Sequence, residues 1–206
     1  MAPQLRRLAL PVDEPLSQVI ADFDCVGEGH AGDPVAKNVC DFLTSRRYEQ
    51  GLRHGLSATY LLTDPDADPL LLGFATLTFD SVRLTKTEKK RMEDVEFSDF
   101  GALRIQMIGI DHRHQRNRFG LELLRGITGL ARRLSEDVAV RFLLADANVR
   151  MVDWYEAAGF VRNEAQKEVK RLDPERSVSM RLDLLDALRG TTDAGQPPSS
   201  VAVAQR

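Results

Sequence analysis

A basic loop that ends in a glycine contains the residue types most suited to chemistry in this sequence. Arg113, Arg116 and Arg118 follow a short apolar run, and Gly120 then opens an apolar periodic run. This order predicts a strand, a loop and a helix, which places free backbone N–H groups at the positive end of a helix dipole. Guanidinium groups pair well with phosphate. Two interpretations are open: a pyrophosphate site, or an ordinary connection with solvated arginines.

The composition is that of a globular protein without an overall attraction to nucleic acid. The chain has 206 residues, of which 43% are hydrophobic and 29% charged, and its net charge is −3. A chain of this length can bury a substantial core. A local basic patch is still allowed. The two cysteines and four histidines show no ligand spacing, so we expect neither a disulfide scaffold nor a metal site.

The first residues of the chain and the lengths of its apolar runs predict where in the cell the protein is expected. The first residues lack the long apolar core of a signal peptide. No apolar run is long enough to span a membrane. The expectation is therefore a cytoplasmic protein with no membrane partner.

Hydrophobic periodicity predicts a mixed α/β architecture. Strands are expected at residues 5–12, 56–63, 70–84, 103–110, 138–145, 160–162 and 177–184. Helices are expected at 16–23, 36–53, 148–158 and after Gly120, where Leu121, Leu124, Ile127, Ala131 and Leu134 share one face. Residues 86–96 fit a short exposed helix or a loop. We expect one domain over 1–187, with a central sheet covered by helices, and a disordered tail over 188–206.

A few residues predict local structure by themselves. Gly73 inside a strand suggests a bulge or a close backbone approach. Gly51 or Gly55 would end the helix before the first hairpin. Asn148 is a plausible N-cap, and Gly159 a C′ residue, for the helix between them.

Two motifs now stand in a recognisable order, with one strand between them. The first follows a strand and leads into a helix, and the second is an Asn followed by a helix that ends in Gly-Phe. They read Gln115-Arg116-Asn117-Arg118-Phe119-Gly120, and Asn148 with Tyr155-Glu156-Ala157-Ala158-Gly159-Phe160. Together they resemble the GNAT superfamily of acyl-CoA-dependent N-acyltransferases, over about residues 5–184. In that family a Gln/Arg-x-x-Gly-x-Gly/Ala loop wraps the coenzyme A pyrophosphate.

The resemblance implies an α+β GNAT-like domain that uses acetyl-CoA as acyl donor and no metal. The strand Ile108-Gly109-Ile110 would hydrogen-bond the pantetheine arm, and the backbone N–H groups of Gln115 to Gly120 would hold the pyrophosphate. Tyr155 would be the general acid for the coenzyme A thiolate, or would simply pack in the core. Asn148 would contact coenzyme A, cap its helix, or do both.

The sequence departs from the family motif at one position. Arg118 stands where the family has its first loop glycine. Glycine there permits a positive φ and a close approach of phosphate. Two outcomes follow: the loop keeps its shape, with Arg118 turned outward or onto a phosphate, or the pocket is partly closed. We expect the first outcome, because the rest of both motifs is intact.

No residue is identified as a general base. Glu96 and Asp99 precede the central strand, where some members of the family place a base. We favour the interpretation that both are solvated acids. Many transferases of this kind deprotonate the amine through water.

A narrower likeness is to the GNAT toxins of toxin–antitoxin modules. It rests on Phe23-Asp24-Cys25, on Cys40-Asp41-Phe42-Leu43 and on Gly55-Leu56-Ser57-Ala58-Thr59-Tyr60. Those toxins acetylate the aminoacyl amine of charged tRNA and are held inactive by a small DNA-binding antitoxin, for which a ribbon-helix-helix protein is expected. Homodimers are common in the superfamily. The alternatives are an acetylase of another amine and a degenerate member that binds a partner without catalysis.

Two groups of basic residues are candidate contacts for RNA. They are Arg46, Arg47 and Arg53 in the first group, and Lys89, Lys90 and Arg91 in the second. Contacts with RNA phosphates would make binding depend on salt. We favour solvated surface patches, because runs of charge usually have that role.

Overall fold

The computed structural model describes residues 2–27, 32–66, 70–90, 92, 95–164 and 177–185. Two compact units contain these residues. The first unit comprises the described residues up to 78 together with 106–127, and the second comprises 79–105 and the described residues from 128 onward. The predicted tail at 188–206 lies outside the described residues. The single domain over 1–187 stays a prediction.

The strands form a mixed sheet and follow the predicted order along the chain. They are β1 (Gln4–Arg7), β2 (Ala58–Asp64), β3 (Leu70–Arg83), β4 (Asp99–Ile110), β5 (Phe142–Asn148), β6 (Val161–Arg162) and β7 (Ser177–Asp183). Their hydrogen-bonded order is β1-β2-β3-β4-β5-β7-β6. Ala102–Ile105 of β4 pair in parallel with Phe142–Ala145 of β5. The other described pairings are antiparallel, so the predicted α+β class is confirmed.

The first two helices begin at aspartate caps. The helices are α1 (Glu14–Ala21), α2 (Pro34–Thr44), α3 (Tyr48–Arg53), α4 (Lys86–Lys89), α5 (Phe119–Asp137) and α6 (Val152–Ala157). The carboxylates of Asp13 and Asp33 cap α1 and α2, and each helix has a proline in its first turn. Both helices therefore start two residues before the predicted positions, because an Asp cap followed by proline is a strong start signal.

The single helix predicted at residues 36–53 is wrong. The structure has α2 and α3 instead, separated by Ser45–Arg47, and Arg46 has a φ of +59°. A left-handed residue ends the run of α-helical hydrogen bonds. Nothing in the periodicity marks this break, because apolar residues on both sides of it face the same core. Gly55, with a φ of +66°, follows α3 as one of the two predicted terminators.

The predicted hairpin and the role of Gly73 are confirmed. The β2–β3 pairing steps from Leu62↔Gly73 to Thr63↔Leu71, which leaves a bulge in β3. A Cβ atom on Gly73 would lie 2.7 Å from the carbonyl oxygen of Gly109. Both the bulge and the close backbone approach therefore exist at this glycine.

The strand predicted at residues 138–145 is displaced. β5 begins at Phe142, because α5 continues to Asp137 and residues 138–141 connect the helix to the strand. Arg141 N donates to the carbonyl of Gly101 at 2.8 Å. A Cβ atom on Gly101 would lie 2.2 Å from the carbonyl oxygen of Ala139, so this close approach requires glycine.

Each unit has its own apolar cluster. In the first unit, α1, α2 and α3 pack on β2 and β3 around Leu43, Leu61 and Phe74. In the second, Val82, Ala102, Phe142 and Leu144 form a smaller cluster. Along α5 the buried residues are Leu123, Leu124, Ile127 and Ala131. The predicted stripe is therefore confirmed at its centre and wrong at Leu134, which is 37% exposed.

None of the helices in the described ranges combines the length and the apolar character that a membrane crossing requires.

Candidate functional site

The loop between β4 and α5 has a left-handed backbone at two arginines. Arg116 and Arg118 have φ angles of +63° and +65°, and Asn117 between them has no positive φ. Left-handed residues in a loop can turn neighbouring N–H groups to one side, as in an anion-binding nest. The backbone at Arg118 thus adopts the conformation that the missing glycine would permit. Left-handed backbone at a non-glycine residue costs about 1–2 kcal/mol, so the surrounding structure must enforce it.

The first turn of α5 leaves backbone donors free beside this nest. The carbonyl oxygen of Arg118 accepts from Leu121 N at 2.9 Å and from Glu122 N at 3.1 Å. The N–H groups of Phe119 and Gly120 make no hydrogen bond to any described residue. They lie at the positive end of a 19-residue helix. Arg116 and Arg118 are exposed and have no ion-pair partner in the described ranges.

A buried carboxylate beneath the loop holds it to the connection between α1 and α2. The side chain of Asp111 is 0% exposed. It accepts hydrogen bonds from Asp24 N at 3.2 Å, from Arg113 N at 3.0 Å, and from Arg113 Nε and Nη2, both at 2.7 Å. Burial alone would raise the pKa of this carboxyl group, but the hydrogen bonds from Arg113 and Asp24 outweigh it and lower the pKa.

Two side chains of the basic loop have structural roles instead of pointing at a ligand. Arg113 binds Asp111, and its Nη2 also donates to the carbonyl of Asp22 at 3.3 Å. The amide nitrogen of Gln115 donates to the carbonyls of Cys25 at 2.9 Å and Ile110 at 3.1 Å. Arg113 thus forms an ion pair within the loop, and its contact with phosphate stays a prediction. The side chain of Gln115 is thus engaged within the protein, so the predicted contact of this residue with the coenzyme A pyrophosphate is left to its backbone.

The end of β4 is shaped by Gly109. A Cβ atom at this position would lie 3.0 Å from Cγ1 of Val39 and 3.2 Å from Cε1 of Phe74. Glycine therefore lets α2 and β3 pack closely on this strand. Ile108, Gly109 and Ile110 are half-buried, and the structure places them with residues 115–120 in the first unit.

Tyr155 lies in the second unit, near the end of α6. Gly159 has a φ of +93°. Its N–H bonds the carbonyl of Glu156 at 2.9 Å, and Phe160 N bonds the carbonyl of Tyr155 at 3.0 Å. These two bonds form a Schellman motif and confirm Gly159 as the C′ residue. The ring of Phe160 meets the ring of Tyr155 edge-on, with 5.1 Å between centroids.

The hydroxyl group of Tyr155 is held in its protonated form. The side chain is 5% exposed, and among the described residues the hydroxyl has no hydrogen-bond partner. Burial, and secondly the nearby carboxylate of Asp146, raise the pKa of Tyr155 well above its ordinary value. The group can therefore donate a proton or a hydrogen bond throughout the neutral range.

Asn148 caps the turn that leads into α6. Its side-chain oxygen accepts from Arg150 N at 3.0 Å and begins a 3-10 turn at Val149–Met151, after which α6 starts at Val152. The predicted capping role is confirmed for this turn, although the α-helix itself begins four residues later. Asn148 and Tyr155 both belong to the second unit.

A charged cluster crosses three strands of the second unit, and the sequence analysis does not predict it as a group. Arg104 on β4 lies between Asp80 on β3 and Asp146 on β5, and its guanidinium group is hydrogen-bonded to both carboxylates. Each of the three charged residues is flanked mainly by apolar residues in its own strand. A charge among apolar residues marks each position as unusual, but the sequence does not show that the three side chains meet.

The two acids considered as bases lie in different settings. Asp99 is the first residue of β4 and forms a two-point ion pair with Arg83, with distances of 2.9 and 3.0 Å. The hydrogen bond from Arg83 lowers the pKa of Asp99. Asp99 thus has a surface ion-pair partner. Glu96 is exposed, as expected of a solvated acid.

The first basic group is largely neutralised by its neighbours. Arg46 and Arg53 both pair with Glu49, each at 2.5 Å. Arg47 donates to the side chain of Asn38 at 3.0 Å and lies over the ring of Phe42. These contacts favour the interpretation that the first basic group is a solvated surface patch and not a contact for RNA. In the second group, Arg91 lies outside the described residues.

The charged segment at residues 86–96 is not exposed throughout. Thr85 and Glu88 form a capping box at the start of α4. The side chain of Glu88 is 2% exposed and accepts from Arg181 Nη1 at 2.6 Å and Glu164 N at 2.9 Å. Glu88, Val161 and Arg181 border two open depressions in this unit, of about 360 and 420 Å³.

Within the described ranges, no group of three His, Cys, Asp or Glu side chains is placed to hold a metal ion. Cys25 and Cys40 are free thiols.

The fold is shared with bacterial toxins of known structure. A crystal structure of a bacterial toxin superposes with a TM-score of 0.71 at 20% identity, over 95% of this chain and 99% of that one. The toxin AtaT in complex with acetyl-methionyl-tRNAfMet has a TM-score of 0.70 at 17% identity, over 92% and 99%. A tyrosine-to-phenylalanine mutant of AtaT, bound to acetyl-CoA and the C-terminus of the antitoxin AtaR, has a TM-score of 0.66 at 17% identity, over 93% and 99%.

These similarities define the fold class of the chain. It has the GNAT fold, in the form found in toxins of toxin–antitoxin modules. Neither a protein-family model nor a curated protein sequence matches this chain.

Proposed function

We propose that this protein is an N-acetyltransferase that moves the acetyl group of acetyl-CoA to a primary amine. The observation that carries the proposal is the backbone of the β4–α5 loop, which is left-handed at Arg116 and Arg118. Such strain is retained where a loop must present its N–H groups to an anion. In this proposal the backbone of residues 115–120 holds the coenzyme A pyrophosphate, together with the exposed guanidinium groups of Arg116 and Arg118.

The reaction needs few protein groups, because the thioester is already activated. The neutral amine attacks the acetyl carbon, the N–C bond forms, and the C–S bond breaks. The nitrogen loses one proton, and the coenzyme A thiolate gains one from Tyr155, which is then reprotonated from solvent. Ile108, Gly109 and Ile110 bind the pantetheine arm through the backbone, and Asn148 contacts coenzyme A while it caps the following turn.

The acceptor in this proposal is the aminoacyl amine of charged tRNA. Among the similar structures, AtaT was solved with acetyl-methionyl-tRNAfMet, and its mutant with acetyl-CoA and part of an antitoxin. The protein would then be a cytoplasmic toxin, held inactive by a small antitoxin of the ribbon-helix-helix type. A homodimer stays a prediction.

Two measurements on the purified chain test the proposal. Calorimetry with acetyl-CoA is expected to show binding at one site per chain. Radiolabelled acetyl-CoA is then expected to transfer its acetyl group to charged tRNA, with deacylated tRNA as the matched control. Absence of acetyl-CoA binding would sink the enzyme proposal and leave a degenerate, non-catalytic member of the fold. Binding with acetylation of other amines alone would leave a general acetylase.

Arg118 gives a separate prediction for the loop. Arg118→Gly is expected to raise the Kd for acetyl-CoA about tenfold, because one charge-assisted hydrogen bond to phosphate is lost. Glycine keeps the left-handed backbone, so the effect reports the side chain alone. The control is Arg125→Ala, at an exposed arginine on α5 that pairs with Glu122. Tighter binding by Arg118→Gly in calorimetry would instead show that the arginine obstructs the pocket.

A further inference from the structure

The cluster on β3, β4 and β5 leaves one carboxylate oxygen unused. Arg104 donates through Nε to Asp80 and through Nη1 to Oδ2 of Asp146. Asp80 also accepts from Ser81 N at 2.7 Å through its other oxygen. Oδ1 of Asp146 has no hydrogen-bond partner in the described ranges, and the side chain is 46% exposed. Two carboxylates and one guanidinium give the cluster a net negative charge.

Arg104 fixes the orientation of the Asp146 carboxylate. Its guanidinium group bridges side chains from neighbouring strands, and it is only 25% exposed. A planar guanidinium group that binds on two sides keeps both partners in place. The free oxygen of Asp146 therefore has a defined direction, instead of sampling solvent as an isolated surface acid would.

The hydroxyl group of Tyr155 is a second observation in the same unit. Its side chain is 95% buried, yet its hydroxyl has no partner among the described residues. The hydroxyl group is therefore free to donate a hydrogen bond to a ligand. α6 packs on β5, and the carboxylate of Asp146 acts electrostatically on this hydroxyl group. An unpartnered donor and an acceptor with a free oxygen thus lie on two elements that pack together in a single unit.

We propose that Asp146, oriented by Arg104, is the carboxylate that binds the acceptor amine beside Tyr155. The inference rests on the proposed acetyltransferase function and adds to it a residue that recognises the acceptor. A primary amine has the required chemistry, because it offers N–H donors and, when protonated, a positive charge. Asp146 Oδ1 accepts one N–H, which directs the nitrogen lone pair at the thioester.

The proton balance fits this arrangement. After the N–C bond forms, the nitrogen carries one proton in excess. Asp146 accepts that proton and passes it to solvent through its exposed edge. Tyr155 donates a proton to the coenzyme A sulfur when the C–S bond breaks. The acid and the amine-binding group are then different residues, and each returns to its initial state after one turnover.

Steady-state kinetics with methionyl-tRNA as the probe test the inference. Asp146→Asn is expected to lower kcat/KM for the acceptor at least about tenfold, mainly through KM, because a charge-assisted hydrogen bond is lost. The Kd for acetyl-CoA and the melting temperature are expected to stay unchanged. The control is Asp153→Asn, at an exposed residue in the first turn of α6. Asp80→Asn weakens the other ion pair of Arg104 but keeps the Asp146 carboxylate, so a smaller fall in kcat/KM is expected.

A ligand without the amine separates recognition from structure. Wild-type protein is expected to bind methionyl-tRNA more tightly than the analogue in which a hydroxyl group replaces the α-amine. Asp146→Asn is expected to lose that preference.

Three results would overturn the inference about Asp146. Wild-type protein that transfers no acetyl group overturns the proposed function and this inference with it. Active wild-type protein with an unaffected Asp146→Asn variant overturns the inference alone. An Asp146→Asn variant whose Kd for acetyl-CoA rises by the same factor as its KM for the acceptor also overturns it, because the effect would then not be specific to the amine.

Discussion

Replacement of Tyr155 by phenylalanine is expected to lower kcat for acetyl transfer by about 100-fold, which is a typical effect for loss of a general acid. The Kd for acetyl-CoA should not change, because the substitution removes one oxygen from a buried ring and keeps its contacts with Phe160. Rapid-quench or steady-state assays with labelled acetyl-CoA give kcat, and calorimetry gives the Kd.

Tyr48→Phe is the matched control for this substitution. Tyr48 is also a fully buried tyrosine, but it lies in the other unit and starts α3. Its replacement is expected to leave kcat unchanged. If Tyr155→Phe turned over as fast as the wild type, the tyrosine would be a packing residue and would have no part in the mechanism.

The pH dependence of kcat gives a second measure of Tyr155. Burial raises its pKa, so the hydroxyl group keeps its proton to a higher pH than an exposed tyrosine, whose pKa is about 10. Loss of activity caused by ionisation of Tyr155 is therefore expected only at a pH above that ordinary value. A fall in kcat near neutral pH in the alkaline direction would have to come from another group.

The second large effect is expected at Asp111, which receives four hydrogen bonds while fully buried. Asp111→Asn should lower the free energy of unfolding by about 3 kcal/mol, because it removes a buried charge partner and leaves donors unpaired. The same change releases the β4–α5 loop from the α1–α2 connection. We therefore also expect the Kd for acetyl-CoA to rise at least about tenfold, since a mobile loop must be ordered on binding.

Asp99 provides a control with the same hydrogen-bond geometry at the surface. It binds Nε and Nη2 of Arg83 just as Asp111 binds those of Arg113, but its side chain is 55% exposed. Asp99→Asn should therefore cost much less stability than Asp111→Asn, because water screens a surface ion pair. Urea unfolding measures the free energy of unfolding of both variants. If Asp99→Asn lost as much stability as Asp111→Asn, burial would not be the reason for the effect at Asp111.

The pKa of Asp111 adds a pH test with a definite sign. Its folded-state pKa is lowered, so the stability it provides is fully present above the unfolded pKa of about 3.9. That stability is lost as the pH falls through the lower folded-state value. The difference in unfolding free energy between the wild type and Asp111→Asn should accordingly shrink in acid and stay constant near neutrality.

The parts of the fold that depend on local pattern could be predicted from the sequence. The order of strands and helices, the hairpin at residues 58–83 and the helix end at Gly159 all follow from periodicity and from glycine. Such features need only residues that are close in the chain. The motif at Gln115–Gly120 and the tyrosine motif are local in the same sense, so their resemblance to the GNAT family was visible without a structure.

The boundaries that failed depend on contacts the local pattern does not contain. The break at Arg46 and the late start of β5 at Phe142 have no glycine or proline to mark them. In both places apolar residues continue past the boundary and serve a different element. Glu88 looked exposed in a charged run, and only its partner Arg181, 93 residues away, explains its burial.

By itself, the sequence determined that a basic loop precedes a helix, and that a tyrosine precedes Gly-Phe after one more strand. Whether Arg118 could replace a glycine was decided only by the tertiary structure. Asp111 binds the backbone of Asp24, 87 residues earlier, and such a tie holds the loop against the cost of two left-handed arginines. The meeting of Asp80, Arg104 and Asp146 was likewise decided by strand pairing. Each residue is local to its own strand, and only the register of the sheet brings the charges together.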